Sequence, residues 1–583
     1  MHAHGCFWRR CFAAAGGVVL FAGLLAGVGA AGRRLAAGAA TDAAGRKGAS
    51  GAHRAPGVPG APGVPGAPGA HRRPSRGRVL LVGTFDGRRG RYDSIQAAVD
   101  AARPGDTILI GPGDYHASDD LAHPPTPSQA ALGDFGGVLV TTPRLTIRGM
   151  DRSTVIVDGT RPGSPACDPA RAAQVLGPRD PNGGHYGTNG IVVFRAGGVT
   201  VQNLTVCNFL SGKGASGNGI WWNGGAQTAK IGLVRYQGAY LTATTTYYGS
   251  PAVAPTYGIF ANNAAGPAGW THIYASNFDD SGMYVGACRQ LCDVTVTDAW
   301  MEYNALGYSG TNSGGAIVIE HSRFEHNQDG FDTNTQIYGD PPPPQNGDCP
   351  GTTSSPITHT RSCWVFRYNL DEDNNDAHAP IAPGGYASAG PVGTGMTISG
   401  GRNDTVTDNT FRGNAAWGVL FVPFPDKDRP YPGVTCHGSG GHEVTGFGCV
   451  YDPEGDALLH NTFSDNGYWH NPTNGDYGQI TLFGHEPQDC FAGNSAPDGS
   501  TPSTLERVQA RCGRMSAASD SGGALLGQVE CDTGFGLCPK GAHYPKPSAS
   551  GVDLHRLPKG LASMPNPCEG IPANAWCRGG KPI

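Results

Sequence analysis

From about residue 270 the apolar residues fall into a long register: Phe278, Met301 and Phe324 are each 23 residues apart. Five residues before each stands a second apolar residue, Ile273, Val296 and Ile319, and the pair recurs as Val406 with Phe411 and Leu458 with Phe463. Asn304, Asn327, Asn414 and Asn466 follow the bulky residue by three positions, and Gly307 and Gly330 follow by six. A repeat of roughly 20–25 residues built from short Val-, Ile- and Thr-rich runs predicts a β-solenoid. No coil of it buries its apolar face alone, so coils stack with parallel strands ~4.8 Å apart. Asn327 and Gly330 are then corner residues of the coil, the asparagine bonding along a stack of turns.

The segment before the repeat has a different rhythm. Ile95, Ala98, Val99 and Ala102 share one face of a short helix that Asp93 or Ser94 caps and Pro104-Gly105 stops. Thr107-Ile108-Leu109-Ile110 is a strand, Gly111 to Asp114 a turn, and the runs VLVTT, LTIRG, STVIVDG and IVVFRAGGVTVQNLTV continue the strands.

The first 31 residues predict an export signal: Arg9 and Arg10 precede an apolar run that ends near a small-residue cleavage site at Val28-Gly29-Ala30. Arg9-Arg10-Cys11-Phe12 is similar to a twin-arginine signal, and a retained anchor is the alternative. Residues 32–78 form a Pro/Gly/Ala spacer, whose few Gly-x-x triplets are too short for a triple helix. Removing these 78 residues changes the charge balance. They hold 11 basic residues and one acid, leaving 31 basic and 46 acidic residues in 79–583, a net of −15. Such a body is a poor nucleic-acid binder, and no membrane contact beyond the signal is expected.

Fourteen cysteines remain after Cys6 and Cys11, most in local pairs: Cys288/Cys292, Cys349/Cys363, Cys436/Cys449, Cys490/Cys512, Cys531/Cys538 and Cys568/Cys577, with Cys167 and Cys207 left over. No zinc-type spacing occurs, so disulfides and a secreted or cell-surface location are expected.

The opening SIQAAVDAARPGDTILIGPGDYH, followed by coils such as SRFEHNQDGF and NTFRGNAAWGV, resembles the right-handed parallel β-helix proteins of the pectate-lyase-like superfamily. The resemblance covers about 79–485 and implies an N-terminal capping helix over the first coil. Residues 486–583, where the coil pattern stops, are expected to form a disulfide-rich C-terminal cap. For function it implies a polysaccharide or cell-wall glycan partner and a monomer, with the activity open. The Asn-Thr-Asp, Asp-Asp, Gly-His-Gly and Arg-Ile-Lys set of the superfamily's polygalacturonases is missing. A lyase of the calcium-dependent kind would have to use Arg323 or Arg367 as base, since Lys213, Lys230 and Lys427 are few and scattered.

Departures from the repeat mark the candidate site. Asp329 stands where other coils have Leu306 and Ala416, and Asp332 where they have Ser309 and Val419. The same coil adds Glu320, Arg323, Glu325 and His326. Aligning Phe366-x-x-Asn369 with Phe324-x-x-Asn327 puts Asp371 in the column of Asp329, about one strand spacing away. Two such carboxylates suit an acid/base pair, with Arg323 or His326 handling the proton, or a Ca²⁺ site completed by Asp373 and Asp376. A 27-residue insertion, 337–363, is placed to wall a groove. Coil corners are acid-rich in any case, so solvated turns are the plain alternative. Asp279-Asp280 reads as a turn. His437, His442 and Glu443 read as a solvated loop, and Trp221-Trp222, Tyr247-Tyr248 and Trp270 as coil filling before sugar platforms. Two functions follow. One is a carbohydrate-active lyase or hydrolase with an acidic groove; the other is a non-catalytic glycan-binding surface protein.

Overall fold

The computed structural model describes residues 77–116, 136–225, 231–288, 292–334, 364–382, 387–427, 430, 432–483, 489–508 and 523–583. The segment expected to be an export signal, nearly all of the expected spacer, the 337–363 insertion and Cys512 lie outside the described residues.

The chain is a right-handed parallel β-helix whose coils each place strands on three faces. In the coil that begins at Val294, these are Val294–Thr297, Trp300–Glu302 and Leu306–Thr311. The next coil repeats them in register as Ile317–Glu320, Arg323–Glu325 and Asp329–Asn334. First- and second-face strands join into one 19-stranded sheet, and the third face is a separate 11-stranded sheet. Inward residues fill the lumen as stacks, such as Phe411 on Phe463 with ring centroids 5.1 Å apart.

Two corners explain the polar columns. At the second-to-third-face corner, the side-chain oxygens of Asn327, Asn374, Asn414 and Asn466 each accept the backbone N–H of the asparagine one coil earlier, at 3.0–3.1 Å. The first-to-second-face corner has its own ladder through Asn369, Asn409, Asn461 and Asn494. Immediately before each ladder asparagine the backbone turns left-handed, at Tyr303, His326, Asp373 and Asp465 in one corner and at Tyr368, Asp408 and His460 in the other. His326 and Asp373 are therefore corner residues.

This pattern corrects the alignment of the coil at 364–382. An apolar-x-x-Asn unit occurs at both corners, five residues apart, and the sequence does not say which corner Phe366-x-x-Asn369 belongs to. Phe366 pairs with Ile319, and Asp371 pairs with Phe324 on one side and Phe411 on the other. Asp371 thus stands in the lumen column of the bulky residues, away from the column of Asp329.

At the N-terminal end the helix Ile95–Ala101 buries Ile95, Ala98 and Val99, and the Ser94 hydroxyl accepts from Ala97 N at 3.2 Å as its N-cap. At the other end Leu505 joins the main core, closing the last coil. The Cys-rich region then does more than cap. The helix Ala524–Thr533 packs through Leu525 and Cys531 against Trp417 and Leu420. From Lys546 the chain runs back along the solenoid. Gly551 O meets His378 Nδ1 at 2.8 Å, and the His555 ring stacks on Tyr303 at 3.6 Å. Farther on, Met564 N donates to Asn203 at 2.7 Å, and the Trp576 indole donates to Arg88 O at 2.8 Å beside the first coil. Disulfides join Cys167–Cys207, Cys288–Cys292, Cys436–Cys449, Cys531–Cys538 and Cys568–Cys577. Among the described residues, no helix is long and apolar enough to cross a membrane.

Candidate functional site

The outer surface of the third face changes character along its length. One outward column reads Trp221, Phe260, Tyr284, Ser309, Asp332, Thr397 over successive coils. The column beside it reads Tyr257, Ser281, Leu306, Asp329, Thr394. Parallel in-register pairing turns these into an aromatic strip followed by an acidic patch. In the strip Trp221 stacks on Phe260 at 5.3 Å, and Tyr257 contacts Phe260 at 4.4 Å and Tyr284 at 5.0 Å. Trp221 and Tyr257 are half-buried, while Phe260 and Tyr284 are buried between their neighbours.

The patch consists of Asp329, Asp332 and Asp280. Asp329 is fully buried, accepts the Thr397 hydroxyl at 2.7 Å and the Phe331 N–H at 3.3 Å, and lies under Gly390. Asp332 is partly exposed and accepts the Ser399 hydroxyl at 2.8 Å. Burial is the main cause that raises the pKa of these carboxyls, because an ionised group loses its hydration there. It pushes Asp332 up to about 6, against the Ser399 hydroxyl, and Asp280 up to about 7, against the hydroxyls of Ser281 and Tyr257 and helped by the charge of Asp332. Asp329 lies well above the usual carboxylate range, through burial and then the charge of Asp332. Among the described residues no ion pair neutralises these three groups.

The other sequence candidates go elsewhere. Asp371 is fully buried in the lumen, where its Oδ1 accepts from the Asn374 and Asn414 amides at 2.9 and 3.3 Å. A Cβ on Gly330 would come within 2.5 Å of its Oδ2, so the glycine column makes room for it. Asp371 adds to the raised pKa of Asp329, but from the inner side of the third-face wall. Arg323 lies on the second face over the Trp300 ring, and its Nη2 binds Glu325 at 2.6 Å and Glu372 at 3.2 Å. Arg367 is held by Glu320 at 2.7 Å. His326 stacks on Tyr303 at the corner, with ring centroids 5.2 Å apart, and approaches Glu302 and Glu325. Asp373 is exposed at that corner, and Asp376 accepts the His378 N–H at 2.7 Å. Asp329, Asp371, Asp373 and Asp376, the expected Ca²⁺ set, thus occupy the outer wall, the lumen and the corner, and do not form one cage.

Asp279-Asp280 is the expected turn, a bend just before the strand Ser281–Gly286. Nothing in the sequence indicates that Asp280 borders the Asp329 column: Ser281 enters that column by pairing with Leu306, whereas spacing from Phe278 points to Met283. Trp222 and Trp270 fill the lumen, and His442 stacks on Phe483 at 4.4 Å in the loop closed by Cys436–Cys449. A concavity of about 350 Å³ on the first face, lined by Arg235, Gln237 and Gly269, has no acidic side chain in its wall.

No family model matches the chain, and no curated protein matches it. Solved structures do. A mannuronan C-5 epimerase A-module from Azotobacter vinelandii is 14% identical over 69% of this chain and 90% of its own, with a TM-score of 0.39. The pectate lyase Pel9A is 14% identical over 82% of this chain and 90% of its own, with a TM-score of 0.35. The tailspike protein of E. coli bacteriophage HK620 is 11% identical over 67% of this chain and 55% of its own, with a TM-score of 0.34. At these scores they assign no function. The fold expected from the sequence stands on the chain's own parallel ladders.

Proposed function

We propose that the protein is a secreted or cell-surface enzyme that hydrolyses a polysaccharide laid along the outer third face. One observation carries the reading: carboxyls held near neutral pH, Asp332 at about 6 and Asp280 at about 7, border an aromatic strip on a single outward surface. Glycoside hydrolysis needs one carboxyl that keeps its proton and one that gives it up, and unequal raised pKa values provide both states at neutral pH. Half-buried aromatic rings such as those of Trp221 and Tyr257 suit contact with sugar rings. Elimination of the calcium-dependent pectate-lyase kind is the weaker reading, because its base would be Arg323 or Arg367, and these sit on other faces in ion pairs. The Asp329–Asp371–Asp373–Asp376 calcium cage is not part of this proposal. Disulfides support an oxidising location.

Binding without turnover is the second reading, favoured by the burial of Asp329, Phe260 and Tyr284. Incubation with neutral and uronate polysaccharides separates the two. New reducing ends without unsaturated uronate absorbance are expected, and Asp332→Asn lowers their rate by about 10²-fold or more. Retained glycan with no new ends would establish the binding protein instead.

A further inference from the structure

On the outside of the second face, the first two coils bring two carboxylates and an imidazole together. The strand Gly113–His116 pairs with Val155–Asp158, which sets His116 directly opposite Asp158. Tyr115, Val155 and Val157 turn inward to the core, so Asp114, His116 and Asp158 share the outward surface. A carboxylate oxygen from each aspartate and a ring nitrogen of His116 all lie within 4.8 Å of one another.

Partners behind them hold two of the three in place. His116 Nδ1 lies 2.9 Å from Thr160 O, and a carbonyl only accepts, so Nδ1 carries a hydrogen. The other ring nitrogen, Nε2, faces Asp114 Oδ2 at 3.3 Å. Asp158 is fully buried, and its two oxygens accept the backbone N–H groups of Thr160 at 2.7 Å and Cys167 at 2.6 Å. The Cys167–Cys207 disulfide pins that loop to the strand beside Asp158. An imidazole tied through its far nitrogen to a backbone carbonyl, next to a carboxylate fixed by backbone donors, is the support that metal ligands use.

Charge and distance indicate what the three hold. Among the described residues His116 is the one ion-pair partner of Asp114, and no lysine or arginine pairs with either aspartate. Burial, and then the charge of Asp158, push Asp114 up to about 6 against the pull of His116. The 3.3 Å separation is long for a charge-assisted N–H···O bond of about 2.7–2.9 Å. It matches the edge of a tetrahedron with zinc bonds of about 2.0–2.1 Å, which is roughly 3.3–3.4 Å. An imidazole in the set favours zinc over calcium, which takes oxygen ligands. The Asp114 and His116 side chains are 26% and 11% exposed, so an ion can reach them from solvent and keep a water in a fourth position. We propose that Asp114, His116 and Asp158 bind a divalent cation of the zinc class on the outer second face. The ion fastens the first coil to the second, on a different face from the third-face carboxyls.

The test uses the full chain, dialysed against EDTA and then against buffer with or without ZnCl₂. The Tm of the zinc-treated wild type should exceed that of the metal-free protein by several degrees. Other histidines of the chain can also pick up zinc, so the site is read as a difference. Asp114→Asn and His116→Gln should each hold one equivalent of zinc less than wild type by elemental analysis, with a Tm indifferent to zinc. Both should melt near metal-free wild type, which shows that they fold. Cobalt in place of zinc should give wild type a visible absorption that neither variant shows. Asp332→Asn should keep the ion, which separates this site from the catalytic proposal. A wild type whose Tm ignores zinc would overturn the inference, and so would variants that hold as much zinc as wild type. Stabilisation by acid but not by zinc would also overturn it, assigning the cluster to an imidazolium–carboxylate pair.

Discussion

Asp371 and Asp332 show what the face and direction of a side chain do to a carboxyl. Both were candidates for chemistry, yet Asp371 takes the lumen place of Phe324 and Phe411, and Asp332 takes an outward place beyond Tyr284. Burial raises both pKa values, so each favours the protonated folded state. For Asp332 the unfolded chain ionises from about pH 4, whereas the folded group does so near 6. The folded state binds more protons in that window, and stability falls as pH rises through it. Above pH 7 the full penalty applies, at most on the order of 3 kcal/mol for a carboxyl moved from about 4 to about 6. Asp332→Asn should therefore raise the denaturation midpoint at pH 8 and leave it little changed at pH 4, while removing turnover. Asp371→Asn should raise the midpoint at pH 8 and leave turnover intact. Loss of turnover in the Asp371 variant would return that residue to the active site.

Individual coils were legible in the sequence to different depths. The 23-residue spacing from Met301 to Phe324, the capped helix at Ile95 and the ladder role of Asn327 all follow from periodicity and side-chain chemistry, and all are present. Phe278 and Ile273 fall outside the expected columns, because Met301 pairs with Ala275 and Val296 with Trp270. The coil at 364–382 was misaligned because apolar-x-x-Asn marks two corners. Pairing across the sheet, which no single coil encodes, distinguishes them. For the same reason Arg323 and Asp329 looked like neighbours in one coil, although they point from different faces. Asn327 gives the ladder a direct test. Its side chain bonds the backbone of Asn304 and Met301 O at 3.0–3.1 Å in a buried corner. Asn327→Ala should cost about 1–3 kcal/mol of stability by chemical denaturation. A neutral result would show that the corner holds without its ladder.

Across the whole molecule, the C-terminal segment ties distant coils together. Residues after 545 touch His378, Tyr303, Asn203, Arg148 and finally Arg88. Trp576, Cys568 and Cys577 also cover Leu109 and Met150 on the outside of the first coils. Little in the sequence announces this path, since the segment lacks periodicity and its partners are hundreds of residues away. Truncation after residue 545 should speed amide exchange around Arg148, Asn203 and Asn277, whose side chain bonds the backbone of His555, while leaving the strands near Phe411 protected. Uniform exchange across all coils would mean that the segment supports the solenoid as a whole. Hydrolysis at the acidic third face is read out by the mass of products released from polysaccharide in ¹⁸O-labelled water. Hydrolysis predicts saturated oligosaccharides carrying one labelled oxygen, formed by wild type and not by Asp332→Asn. Unsaturated, unlabelled products, or equal labelling by the variant, would contradict it.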